Sequence, residues 1–400
     1  MNVFKTSSMI LAKRIQKISP SPTLAITALV NKMRKEGKDV ISFAAGEPDF
    51  DTPKHIKQAG ITAINQGFTK YTATSGIMEL KLAICEKFRK DNNLIYKQEN
   101  ILVSNGAKQC LYNLIQVLVD PGDEVIIQIP YWVSYEEMVK LSGGKCVFIK
   151  PKVGLKITAD QIEKAITSKT KILILNSPSN PTGVVYDKKE LEEIAEVCVR
   201  HNILVISDEI YEKLMYGKKH YSIASFNSEI YKLTVVVNGA SKSYAMTGWR
   251  IGYCAGSKEI IEAASSLQDH STSNPNSIAQ KATIAALTGS DDCIQEMAKE
   301  YKKRRDYMIG KLRSMKGVEA EKPDGAFYVF VNVSKLYNKN VADSVSFCTE
   351  FLKQFFVGCI PGSAFGDDRY IRLSFATSLE NIKEGMERLE KFANLLSTNE

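Results

Sequence analysis

Three short apolar runs constrain the fold of this chain more than any other feature. Ile172–Leu175, Ile203–Ile206 and Leu233–Val237 are β-branched or leucine-rich and bounded by polar residues. Such runs, without polar alternation, predict strands buried on both faces. Between the first two, Asp187 to His201 carries a helix pattern. Asp187 and Glu190 have capping-box spacing, and Leu191, Ile194, Val197 and Cys198 make one apolar face. A strand–helix–strand unit of this kind predicts a largely parallel α/β sheet. Thr158 with Gln161 marks another helix start. Asp120-Pro121-Gly122-Asp123 forms a turn feeding a strand at Glu124–Gln128.

After about residue 295 the pattern changes. A charged helical stretch, Glu296 to Arg313, leads into an apolar strand at Ala326–Val331, a helix near Ser344–Phe355 and a strand around Tyr370–Ser374. This predicts a smaller α+β domain. The expected division is an N-terminal segment, 1–50, belonging to the small domain, a large domain at 51–295, and the small domain proper at 296–400. A chain of 400 residues is long enough to bury such cores without disulfides or metals.

Charge and cysteine content remove several function classes. The net charge is +8, from 53 basic and 45 acidic residues. The basic residues are scattered in short pairs such as Lys302-Lys303, so neither a nucleic-acid nor a membrane partner is expected. None of the eight cysteines forms a C-x-x-C pair or sits beside a histidine at ligand spacing, so buried free thiols and no metal are expected. The apolar stretch Met9 to Ala12 is too short for a signal peptide, and no run approaches a membrane span. A cytoplasmic protein is the expectation.

Each of the three buried strands is followed by polar residues suited to chemistry. After the third comes Ser241-Lys242-Ser243-Tyr244-Ala245-Met246-Thr247-Gly248-Trp249-Arg250. A lysine at a strand exit sits where open α/β sheets bind ligands, and an amine of lowered pKa condenses with carbonyls. After the second comes Ser207-Asp208-Glu209-Ile210-Tyr211. Asp208 suits a protonated pyridine nitrogen, although a helix cap would use it as well. After the first comes Asn176-Ser177-Pro178-Ser179-Asn180-Pro181-Thr182-Gly183, a rigid turn presenting Asn180 at the same rim. Upstream, Ser104-Asn105-Gly106-Ala107-Lys108-Gln109 opens a helix whose first amides suit a phosphate.

With Ala45-Gly46-Glu47-Pro48-Asp49-Phe50, Tyr71 and Ile371-Arg372-Leu373-Ser374, these motifs stand in the order seen in the class I pyridoxal-phosphate-dependent aminotransferases. The chain resembles the bacterial aspartate aminotransferases of that class from about residue 11 to about residue 390. The resemblance implies the fold-type I architecture: a large domain with a mostly parallel seven-stranded sheet flanked by helices, plus the smaller α+β domain. It implies pyridoxal 5'-phosphate as cofactor. Lys242 would carry the cofactor as an imine and move the proton. Asp208 would pair with the pyridine nitrogen, and Tyr211 and Asn180 would bond the phenolic oxygen. Trp132 would stack on the ring. Gly106, Ala107, Lys108, Ser241 and Arg250 would surround the phosphate. Arg372 would grip the substrate α-carboxylate as a fork, and Gly46 would let backbone approach it. Tyr71 would reach the phosphate of a neighbouring subunit, which implies a homodimer with shared active sites.

The implied substrates are small molecules, amino acids and 2-oxo acids: transfer of the amino group of L-aspartate, or a related amino acid, to 2-oxoglutarate through a pyridoxal/pyridoxamine phosphate ping-pong cycle. Lys108 is a candidate for a distal carboxylate. Relatives that use prephenate tend to read Lys-Pro-Ser-x-Thr where this chain has Ser19-Pro20-Ser21-Pro22-Thr23. The missing lysine charge ranks prephenate below aspartate. Aromatic or prephenate specificity, or a lyase on the same fold, is the alternative.

Overall fold

The computed structural model describes residues 11–20 and 22–398. Part of the apolar stretch Met9 to Ala12, and Ser21 of the Ser19–Thr23 segment, lie outside the described residues.

A seven-stranded sheet forms the centre. Its strands run in the order Ile101–Ser104, Gly252–Ala255, Thr234–Gly239, Leu204–Asp208, Thr170–Asn176, Glu124–Gln128 and Lys145–Ile149. All neighbours are parallel except at Gly252–Ala255, which is antiparallel to both of its partners. The three apolar runs are thus adjacent central strands. Alternation along one strand shows why no polar residue is tolerated there. Ile172 and Ile174 pack with Leu111, Leu114 and Val139 on one face. Leu173 and Leu175 pack with Leu191, Ile194 and Cys198 on the other. The helix Lys188–Arg200 starts at the expected cap, where Asp187 and Glu190 make a reciprocal capping box. Thr158 and Gln161 do the same for Ala159–Ala165.

A second sheet has four strands, in the order Ile360–Pro361, Tyr370–Ser374, Tyr328–Asn332 and Glu319–Ala320, all antiparallel. Helices Asp292–Ser314, Ser344–Phe355 and Leu379–Ser397 cover it. The short strand Ile41–Ser42 pairs in parallel with Val357–Gly358 and so ties the start of the chain to its end.

All eight cysteines are free, and five of them are buried. Among the described residues no helix is long and apolar enough to cross a membrane.

Candidate active site

Register explains how distant motifs meet. In the parallel pairing, Asn176 lies opposite Asp208, and Asp208 opposite Val237. The chain therefore leaves three neighbouring strands at one rim. Asn180 follows the first exit, Asp208 ends the second strand, and Lys242 sits on the short helical turn Ala240–Ser243 beyond the third. Asn176 locks two of these exits together. Its Nδ2 donates to the Asp208 carbonyl at 2.9 Å, and its Oδ1 accepts from the Asn180 amide at 2.8 Å.

These side chains line one cavity of about 370 Å³, together with Gly46, Ala107, Lys108, Trp132, Ser241, Arg250 and Arg372. Lys242 is half-buried and opens into this space. Its Nζ donates to the Gly46 carbonyl at 2.6 Å. Burial lowers its pKa to about 8. The Arg250 and Arg372 charges push the same way, and Glu47 and Asp208 oppose them.

Asp208 is 4% exposed. Burial raises its pKa to about 6, and a hydrogen bond from the Tyr135 hydroxyl works against that rise. The next residue, buried Glu209, belongs to a cluster with buried Glu212 and half-buried His220. The Lys87 ammonium is ion-paired with Glu212 and supplies the compensating cation.

The Tyr211 hydroxyl sits 2.9 Å from that of Tyr328, and burial holds it well above the ordinary phenol range. Arg372, on strand Tyr370–Ser374, is 3% exposed. Its Nη1 donates to Asn180 Oδ1 and its Nη2 to the Ala44 carbonyl, each at 3.0 Å. Its Nε has no partner. Among the described residues no carboxylate pairs with this guanidinium, which stacks on Tyr328 at 4.4 Å. A buried cation with no carboxylate partner among the described residues fits an anionic ligand.

The helix Ala107–Leu118 points its N-terminus into the same space, with no side-chain cap. Its first amides lack internal partners, as in any α-helix. Gly106 precedes it at φ 88°, and a Cβ there would collide with the Arg250 guanidinium. Gly252 is equally constrained, because a Cβ would strike the Ala107 amide nitrogen. Two glycines thus bring an amide pair and a guanidinium together. Arg250 itself adopts φ 57° and donates to the carbonyls of Thr247 and Asn105. Lys108 Nζ lies 4.9 Å from the Trp132 ring centroid.

Tyr71 stands apart from this cavity, with 93% of its surface exposed. Within one chain it joins none of the other site residues. Sequence reasoning missed Tyr135, Tyr328 and the bridging role of Asn176. Tyr135 follows Trp132 by one turn, with its amide bonded to the Trp132 carbonyl at 3.0 Å. That spacing is the one signal available for it.

A family model described as aminotransferase class I and II matches residues 38–389. The chain belongs to the class I and II aminotransferases. Enzymes of this aminotransferase family depend on pyridoxal phosphate. The chain is 49% identical over 388 residues to the aspartate aminotransferase of Bacillus subtilis, covering 96% of this chain and 99% of that one. It is 47% identical over 400 residues to the aspartate/prephenate aminotransferase of Nitrosomonas europaea, covering 97% and 100%. Among solved structures, the aspartate aminotransferase from Thermus thermophilus with maleate superposes with TM-score 0.92 at 42% identity, covering 96% and 99% of the two chains. The aminotransferase fold and its seven-stranded sheet therefore agree with the expectation from the motifs.

Proposed function

We propose that this aminotransferase moves the amino group of L-aspartate to 2-oxoglutarate, and that Lys242, Asp208, Tyr211, Asn180 and Arg372 do the work. The observation that carries the reading is the convergence of a lysine of lowered pKa and an unpaired buried arginine on one cavity.

The donor set fits pyridoxal phosphate. One end of the cavity offers free helix amides, Ser241 and Arg250 for a phosphate. Across it lie a buried carboxylate for a ring nitrogen and a tyrosine–asparagine pair for a phenolic oxygen. When bound, the cofactor supplies an aldehyde that condenses with amines and a ring that accepts an electron pair from the substrate α-carbon. The protein's part is geometry and charge. Asp208 would hold a proton at the ring nitrogen. Tyr211 and Asn180 would hold the phenolic oxygen, and Trp132 would cover the ring face. Arg372 fixes the α-carboxylate by a two-pronged bond, with Gly46 leaving room beside it. Lys242 takes the α-proton at Nζ, and a pKa near neutrality suits that task.

Aspartate is favoured over prephenate for two reasons. Ser19, exposed and bonded through its amide to Glu137, brings no cation. The Thermus relative with maleate accommodates a small dicarboxylate, and Lys108 is the candidate for a distal carboxylate here.

The same proposal includes a cytoplasmic homodimer, supported by the exposure of Tyr71 away from its own chain's cavity. It also treats 1–50 with 296–400 as one domain and 51–295 as the other, supported by the pairing of Ile41–Ser42 with Val357–Gly358. A donor panel of aspartate, glutamate, aromatic amino acids and prephenate's amination product against oxaloacetate and 2-oxoglutarate tests the reading. Aspartate with 2-oxoglutarate is expected to lead. Release of ammonia without an acceptor would favour a lyase.

A further inference from the structure

Gln268 lies on the helix Lys258–Ser271, is 0% exposed and is not one of the residues lining the cavity. Its carboxamide nevertheless makes four hydrogen bonds. Oε1 accepts from Ser104 Oγ at 2.6 Å and from Asn113 Nδ2 at 3.0 Å. Nε2 donates to the Thr74 carbonyl at 2.9 Å and to the Val103 carbonyl at 2.8 Å. A glutamine amide has two acceptor sites and two protons, so this one is fully used.

The four partners have a common address. Val103 and Ser104 end the strand that runs into Asn105-Gly106-Ala107, the turn offering amides to the phosphate end of the cavity. Asn113 belongs to the helix that this turn opens. Thr74 lies three residues after Tyr71, and the adjacent Ser75 carbonyl accepts from the Val103 amide at 3.1 Å. The same helix grips the turn once more at its end. Gln109 accepts from the Asn105 amide and donates to Thr272 Oγ1, both at 2.7 Å.

A leucine of similar volume would fill the site at lower desolvation cost. A fully satisfied buried amide instead sets the relative position of the backbones it joins. We propose that Gln268 is a positioning residue for phosphate recognition: it fixes the Ser104–Ala107 turn against both its helix and the loop that carries Tyr71. The inference rests on the proposed phosphate site at that turn, and it predicts loss of phosphate recognition rather than of stability alone.

Full-length protein, purified with cofactor and then resolved to the apo form, is titrated with pyridoxal phosphate and with pyridoxal. The ratio of the two affinities reads the phosphate contribution. In the parent, pyridoxal phosphate is expected to bind far more tightly. Gln268→Met should cut that preference about tenfold, the size of one misplaced charge-assisted bond. Ser104→Ala removes one of the four bonds, leaves Asn113 on the same oxygen, and should cut the preference by a smaller factor. This variant decides the matter if Gln268→Met does not fold. Tyr186→Phe deletes a buried hydroxyl bonded to Gln128 and the Ile157 amide, remote from the turn. It should lower the melting temperature and leave the ratio alone. An unchanged ratio in the folded Gln268 or Ser104 variant, or an equal fall in Tyr186→Phe, overturns the inference. A parent without preference for the phosphorylated form would instead remove the phosphate site on which it rests.

Discussion

Tyr135 donates a 2.6 Å hydrogen bond to Asp208 Oδ2, and both side chains are buried. The hydroxyl favours the ionised carboxylate, while burial raises its pKa to about 6. Tyr135→Phe removes the one side-chain donor to this carboxylate among the described residues. The pKa should climb further, by about one unit for one bond. Because an ionised Asp208 is needed to hold a protonated ring nitrogen, the acid limb of cofactor binding should move up in pH by the same amount. Binding measured between pH 5 and 8 checks this. An unmoved acid limb would show that Tyr135 is mere packing.

Asp208 should cost stability in the absence of cofactor. Its folded pKa of about 6 lies above the ordinary 3.8. The penalty is therefore full above pH 6, shrinks as pH falls toward 4 and vanishes below. About two units correspond to about 3 kcal/mol, a net figure that already includes the opposing bond from Tyr135. Asp208→Asn should thus stabilise the apo-protein by up to about 3 kcal/mol at pH 7.5 and by little at pH 4. Denaturant titrations at the two pH values measure it. Amino transfer should fall about 100- to 1000-fold.

Lys242 should be an unusually reactive amine in the apo-protein. Its labelling by an acylating reagent should reach half its maximum near pH 8, where burial puts its pKa, against 10.5 for an ordinary lysine. Glu47 raises that pKa, so Glu47→Gln should move the midpoint down. Peptide mapping of the labelled protein reads both. A midpoint near 10.5 would remove the basis for proton transfer at neutral pH.

Arg372 is a buried guanidinium held by Asn180 and the Ala44 carbonyl, with Nε unpartnered. Arg372→Leu should lower kcat/KM for the amino acid about 100-fold, while the apo-protein unfolds no more readily than the parent. Arg372→Lys should recover little, since a point charge does not reproduce the fork. Recovery to parental kcat/KM in the lysine variant would argue against two-pronged binding.

Much of this site was legible because strand exits are legible. A buried run such as Ile203–Ile206 has a marked end, and the residue just past it must stand at the sheet rim. That logic makes Asp208 and Lys242 candidates, and the neighbouring motifs, through their resemblance to the aminotransferases, supply their roles. The strand ends lie past the apolar runs, at Asp208 and Asn176, because a polar residue still bonds in the ladder after the apolar pattern stops. The strand Gly252–Ala255 escaped notice: it is four residues long, opens on a glycine, and lies between one strand nearby in sequence and another, Ile101–Ser104, far from it. Tyr135, Tyr328 and Gln268 escaped for a related reason. Each acts through a partner 73 to 194 residues distant, and nothing local distinguishes a tyrosine or glutamine with a buried partner from one that faces water.

The most direct test is steady-state amino transfer from L-aspartate to 2-oxoglutarate by Lys242→Ala, with cofactor binding followed in the same samples. The variant is expected to fold and to retain pyridoxal phosphate through its phosphate and ring contacts, while turnover falls at least about 1000-fold, the scale for a group serving as both anchor and base. Turnover at the parental rate would contradict the assignment of Lys242 and, with it, the mechanism.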